Sequence, residues 1–239
     1  MLGEALVYPV RGEEREETLL VGAILAVALG VLARLGLLGV LAVVPAVLLA
    51  GYAQAVLRAS TASGASAASG GDTPASGGVA GDDELPGFGN YRTLAADGLR
   101  AVVVSVGYLL LPAALLVLTV GGAGAGGRPE SFGTTLFVFG AGTVVLFASL
   151  GFAYLLPAAL AGVARTRTLG AALDRGRLFR SARSGGYFVA WVAAAVTGVV
   201  FAVLLGSLAA LGRPGEVAAL ALGFYALVVV ARLAGRGVA

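Results

Sequence analysis

Apolar residues fill six long runs of this chain, and polar residues collect between them. Residues 18–57 are nearly all apolar, interrupted by Arg34. As one helix they would extend about 60 Å, twice the ~30 Å hydrocarbon core of a bilayer. The run therefore predicts two short spans, 18–33 and 37–57, turning at Arg34-Leu35-Gly36. Further spans are predicted at 101–120 with Pro112, within 134–160 with Pro157, at 187–211, and at 216–232. The last two are joined by the turn Gly212-Arg213-Pro214-Gly215. Arg34 reads as a turn residue whose guanidinium snorkels to the interface. The rival reading is a buried charge in a conduction path.

Between the runs, polar and apolar positions alternate with helical period in two places. Phe88, Tyr91, Ala95, Leu99 and Val102 recur with Arg92, Asp97 and Arg100 among them. Leu169, Ala172, Leu173 and Phe179 recur in the same way between arginines. Both patterns predict amphipathic helices lying on the membrane surface. Leu2, Ala5, Leu6 and Val10 suggest a shorter interfacial turn, broken by Pro9. Residues 59–87 are Gly, Ser, Ala and Thr with Asp72, Asp82, Asp83 and Glu84, and this composition predicts a disordered linker inside one membrane domain, 1–239. Residues 121–131 read as a loop. Gly122, Gly124 and Gly127 match G-x-G-x-x-G there, without the strand–turn–helix context that would give the match meaning.

Spans two, four and six end alike, as Gly51-Tyr52 to Arg58, Tyr154 to Arg165 and Phe224-Tyr225 to Arg232. This weak repeat predicts three hairpins of parallel orientation. The expected fold is all-α, a polytopic transmembrane helix bundle of about six spans, built as three helical hairpins with interfacial amphipathic helices.

Composition agrees. Of 239 residues, 59% are hydrophobic and 12% charged, against about 25% charged in a soluble domain. The net charge of +3 does not point to nucleic acid, because the arginines sit at the ends of apolar runs. All sixteen basic residues are arginine, and the chain has no Lys, His or Cys. That removes zinc fingers, thiol nucleophiles, Ser-His-Asp triads, Walker lysines and Schiff bases. No catalytic residue, metal site or cofactor is expected, and the protein is read as a non-enzyme. Residues 1–17 carry five Glu and two Arg, unlike the basic start of a secretory signal, so no signal peptide is read. With both termini inside, six spans place thirteen arginines inside and three outside, Arg34, Arg128 and Arg213. That bias predicts cytoplasmic termini in a plasma-membrane protein.

The candidate functional residues follow from charge and burial. Arg165, Arg167, Arg175, Arg177, Arg180 and Arg183 form a basic loop opposed by Asp174 alone, a candidate surface for anionic lipid headgroups. Asp174 and Arg177 read as a solvated pair. Gln54 is the one amide within a predicted span and the candidate for an interhelical polar contact. The serines and threonines of the spans are expected to bond their own helix backbones. Tyr187 and Trp191 read as an interfacial belt. No acidic residue lies inside a predicted span, which disfavours a proton-coupled carrier. Gly22, Ala26 and Gly30, and Ala194, Gly198, Ala202, Gly206 and Ala210, form stripes of small residues for close helix packing within the molecule, or as the lesser option a dimer face.

Six blocks together resemble a known family: MLGEALVYPVRG at 1–12, GYAQAVLRA at 51–59, AADGLRAVVV at 95–104, YLLPAALAGVARTRTLGAALD at 154–174, GGYFVAWV at 185–192 and FYALVVVARLAGRG at 224–237. In this order the chain resembles domain of unknown function 4013, a family common in haloarchaea. The resemblance implies a multi-span membrane protein and supplies no activity or catalytic residues. The long linker departs from the pattern. The expected function is that of a non-enzymatic integral membrane protein, a scaffold or lipid-interacting unit; the alternative is a small-solute or lipid transporter or channel. A cavity shared by Gln54, Thr143 and Thr197 would favour transport.

Overall fold

A computed structural model describes residues 2–10, 15–68, 85–125 and 132–238. All regular structure among them is helical: α1 (Leu2–Val7), α2 (Arg15–Leu32), α3 (Val43–Ala68), α4 (Tyr91–Ala125), α5 (Phe132–Thr166), α6 (Arg175–Ala182), α7 (Gly185–Ala209) and α8 (Arg213–Arg236), with 3₁₀ segments at Tyr8–Val10, Gly36–Ala42 and Leu169–Leu173. Five segments are long and apolar enough to cross a membrane: Gly36–Ser63, Tyr91–Thr119, Phe139–Thr166, Gly185–Ala209 and Arg213–Arg236. The protein is a multi-pass membrane protein. The first predicted span is the short one. α2 has 18 residues and begins Arg15-Glu16-Glu17, leaving about 22 Å of apolar helix against a core of ~30 Å.

Local chemistry sets the boundaries. Gly36 adopts φ +57° and Gly212 φ +89°, conformations that glycine reaches without a Cβ clash, and they turn the chain after α2 and before α8. Asn90 accepts a hydrogen bond from the Thr93 amide at 3.1 Å, Asp174 from that of Arg177 at 3.1 Å and Ser184 from that of Tyr187 at 3.1 Å, satisfying amide groups at the starts of α4, α6 and α7. Pro112 and Pro157 lie inside continuous α4 and α5. Thr119, Thr143, Ser149 and Ser207 each donate to the carbonyl four residues back, as expected of hydroxyls in apolar helices.

The hairpins are α2–α3, α4–α5 and α7–α8. Their second helices, α3, α5 and α8, pack on one another, and each first helix bridges two of these: α2 touches α8 and α3, and α4 touches α3 and α5. α7 packs on α8 and reaches α5 through Trp191, whose Nε1–H donates to the Ala153 carbonyl at 3.2 Å. Each second helix also holds the lead of the next hairpin with an aromatic residue. Tyr52 stacks on Phe88 with ring centroids 4.5 Å apart. The Tyr154 hydroxyl donates to the Ala182 carbonyl at 2.8 Å. The Tyr225 hydroxyl donates to the Leu6 carbonyl and closes the ring. The three-hairpin repeat is thus realised in space.

Several expectations change. α3 continues to Ala68, and Ser60 and Thr61 are buried, so 59–68 is helix and not linker. The Ser60 side chain stands where a Cβ on Gly235 would go, so α8 buries this turn. Residues 69–84 of the expected linker lie outside the described residues. α4 extends to Ala125 into the stretch read as a loop, whose remainder, 126–131, is also outside them. The N-terminal segment packs on α8, with Ala5 and Tyr8 buried and Leu6, Val7 and Val10 exposed. Tyr187 is buried, and its hydroxyl donates to the Tyr154 carbonyl, so it belongs to the core and not to a surface belt.

The small-residue stripes divide. A methyl group at Gly22 would overlap the Phe224 ring, and one at Gly30 the Leu220 side chain, so the stripe on α2 seats it against α8. On α7, Ala194 is buried, whereas Ala202, Gly206 and Ala210 are exposed. The nearest atom to a Cβ on Gly223 belongs to Leu205, and one on Gly215 would overlap the Leu208 carbonyl. The packed face of α7 therefore drifts off the four-residue stripe, as the 3.6-residue turn requires.

Candidate functional site

Asp97 is only 6% exposed and lies one and a half turns into α4, inside the second span-length segment. Its Oδ2 receives Arg58 Nη2 at 2.7 Å and its Oδ1 receives Arg100 Nη1 at 2.8 Å. Arg167 Nε stands 3.8 Å from Oδ2. Arg58 Nε also donates to the Ala164 carbonyl at 2.6 Å, near the C-terminal end of α5, where free carbonyls favour a cation. One carboxylate therefore joins α3, α4 and the end of α5, and it is surrounded by three guanidiniums. Two positive charges remain uncompensated within the cluster, and the arginines are between 32% and 54% exposed. Arg167 adopts φ +56° with its amide on the Val163 carbonyl at 2.7 Å, a left-handed cap that turns the chain out of α5.

The sequence pattern placed Asp97 on the polar face of an amphipathic surface helix and missed this role. The available signal was an aspartate three residues before an arginine, beside Gly98. A methyl group at Gly98 would overlap the Val47 carbonyl, and one at Gly51 the Leu94 carbonyl. This close crossing of α3 and α4 carries Asp97 toward Arg58.

The six loop arginines differ in their partners. Arg167 turns to Asp97, and Arg177 stands 3.9 Å from Asp174. Arg180 Nε donates to the Gly176 carbonyl at 3.2 Å. Arg165, Arg175 and Arg183 are exposed. Ala172 and Leu178 bury the loop against the bundle, while Leu169, Leu173 and Phe179 are exposed. Asp174, expected as a solvated pair partner, also caps α6.

Gln54 is 2% exposed, and its Oε1 has no hydrogen-bond partner among the described residues. It lines a groove of about 500 Å³ between α3 and α4. Gln54 is thus brought to an apolar groove rather than to a polar partner on another helix. Thr143 is exposed and bonded within α5, Thr197 is buried on α7, and neither lines this groove. Arg34 lies at an exposed turn and pairs with Glu216 at the start of α8, so it is not a buried charge on a path. Arg232, read as the inner end of the sixth span, is the largest fully buried side chain among the described residues. Its guanidinium lies 4.2 Å from the centre of the Tyr8 ring and 3.5 Å from Ser60 Oγ, a geometry that favours cation–π attraction.

The family of proteins of unknown function DUF4013 matches residues 34–210, well over half of the chain. The chain belongs to this family. The matched region runs from the turn after α2 to the end of α7 and holds the Asp97 cluster, Gln54 and the arginine loop. Four of the six resembling blocks fall inside it, and those at 1–12 and 224–237 fall outside. No curated protein and no solved structure gives a significant match to this DUF4013 chain.

Proposed function

We propose that this DUF4013 protein is a non-enzymatic, lipid-interacting membrane protein whose arginine-rich end works on anionic headgroups. One observation carries the reading: Leu169, Leu173 and Phe179 are exposed among exposed arginines on the loop beneath α5 and α7. An apolar edge beside guanidiniums suits the boundary between acyl chains and headgroups, where each basic residue contributes about 1 kcal/mol near an anionic leaflet. The lack of Lys, His and Cys supports a non-catalytic role. Loop arginines on the cytoplasmic side of the plasma membrane, with both termini inside, fit the charge bias. Cysteines introduced at Ser181 and Ala239 would then be shielded from an impermeant thiol reagent in intact cells, and one at Gly212 would react; labelling at Ser181 reverses the orientation.

The test of the lipid reading is proteinase K cleavage of the loop in protein reconstituted with or without phosphatidylglycerol. Anionic lipid is expected to protect it. Phe179→Ser should open the loop at any salt. Arg175→Gln with Arg177→Gln should do so mainly at low salt, because screening falls to ~3 Å in 1 M salt. Equal resistance of the Phe179 variant and the parent discards the proposal. A lipid transporter is the second reading, drawn from the lateral groove beside Gln54.

A further inference from the structure

The groove between α3 and α4, with Leu160 of α5 and Leu227 of α8 also in its lining, starts at Leu57 and Ala101, next along the chain from Arg58 and Arg100 of the Asp97 cluster. On α3 it is lined by Ala50, Gln54 and Leu57, and Arg58 follows directly. On α4 it is lined from Ala101 through Ser105 to Ala113, and Arg100 precedes directly. Twelve residues of helix carry it about 18 Å away from the arginines. Its walls are almost wholly apolar, and about 500 Å³ lies within the size range of small-molecule sites. Two features point to a ligand. The cluster at its mouth has three guanidiniums for one carboxylate. One helical turn before Arg58 on the same face, Gln54 Oε1 is buried without a hydrogen-bond donor among the described residues, an arrangement that costs free energy unless a ligand supplies one.

We infer that this groove binds a single anionic lipid, with its phosphate at Arg58, Arg100 and Arg167, a hydroxyl of its backbone donating to Gln54 Oε1, and its chain along α4 toward Ala113. Charge, hydroxyl and chain then meet cation, acceptor and apolar wall in the order in which they occur along such a lipid. Asp97 holds the arginines in place and leaves two charges for the phosphate. The inference deepens the lipid-binding reading above and takes from it the class of ligand.

The experiment uses the full chain in neutral-lipid nanodiscs with two photoreactive probes, lysophosphatidate and lysophosphatidylcholine, each with a diazirine in the same acyl chain. Mass spectrometry locates the crosslinks. Lysophosphatidate is expected to label peptides containing 50–57 and 101–113 in clear preference to the choline probe. Arg100→Gln should lower that labelling roughly fivefold, the effect of one basic contact, and Ser105→Trp should abolish it by filling the groove. Gln54→Leu should remove the advantage of lysophosphatidate over a third probe, its diazirine analogue without the hydroxyl. If Arg100→Gln does not fold, Arg167→Gln, more exposed and 3.8 Å from Asp97, takes its place. Equal labelling by both probes in the parent overturns the site, since ordinary bilayer lipid would then fill the groove. Labelling unchanged by either arginine variant overturns it as well. Loop protection by phosphatidylglycerol without headgroup selectivity in the groove keeps the surface reading and rejects this site; the reverse result keeps the site and rejects the surface.

Discussion

Gly98 and Gly206 both lie on long apolar helices, yet a methyl group on the first would overlap a backbone carbonyl and one on the second would meet nothing within 4 Å. The two positions stand for two ends of the molecule. At the arginine end, burial runs through Leu94, Asp97, Ala101 and Val104 on α4, Ala158 to Ala164 on α5, and Phe224 to Ala234 on α8. Farther along α4, Leu109, Leu110, Leu116, Val117 and Leu118 are exposed, as are Val199, Val203 and Leu204 on α7. In a bilayer that second group faces chains as apolar as itself, so no hydrophobic force draws its helices together. The arginine end has what such a force cannot supply: close backbone contact, buried charge and aromatic hydrogen bonds. Specificity of the fold is concentrated there.

The largest effect should come from breaking that close contact. Gly98→Ala forces α3 and α4 apart at a backbone carbonyl and should cost about 3 kcal/mol, the upper range for overpacking, whereas Gly206→Ala should be neutral or stabilise by up to about 1 kcal/mol. Thermal aggregation of detergent-solubilised protein, followed by size exclusion, separates the two. Equal midpoints for these variants would erase the contrast between the ends.

Next comes the charge within the packed end. Asp97→Asn leaves three guanidiniums facing one another. The expected loss is about 2 kcal/mol, less than for a fully buried pair because the arginines reach solvent. An additional Arg58→Gln change should restore part of it, and a double-mutant cycle measures that coupling. Additive losses would mean that the cluster is not a unit.

The smallest effect concerns the ring closure at the termini. Arg236 Nη1 lies 2.5 Å from Glu4 Oε2, and this hydrogen bond and charge hold the Glu4 carboxyl below its usual range. A depressed folded value stabilises above the unfolded value of about 4.3 and is lost as pH falls through the folded one. Hydrogen exchange of residues 2–10 should therefore quicken only below about pH 4, and Glu4→Gln should abolish that step. An unchanged profile in the variant would assign the step to another carboxylate.

The apolar runs of this chain determined that it is helical, that it crosses a membrane, and roughly where it turns. A 3.6-residue period and a fixed bilayer thickness leave few other solutions. The repeat of tyrosine and arginine at the ends of α3, α5 and α8 was legible as a pattern of three. Its closure, with each aromatic holding the next lead, was not, because Tyr225 and Leu6 are far apart in sequence and meet only when three hairpins pack in a ring. The candidate site divided in the same way. The loop arginines were readable from charge density, and Gln54 from its rarity in an apolar run. Which arginines serve the interior was decided by tertiary structure. Arg58, Arg167 and Arg232 each lie at or beyond the end of a predicted span, where sequence alone reads a snorkelling or topology-setting charge. A guanidinium on a long stem can equally turn inward when a carboxylate, a carbonyl or a tyrosine ring waits there, and only the crossing of α3 with α4 at Gly51 and Gly98, and the docking of the N-terminal segment on α8, put those partners within reach.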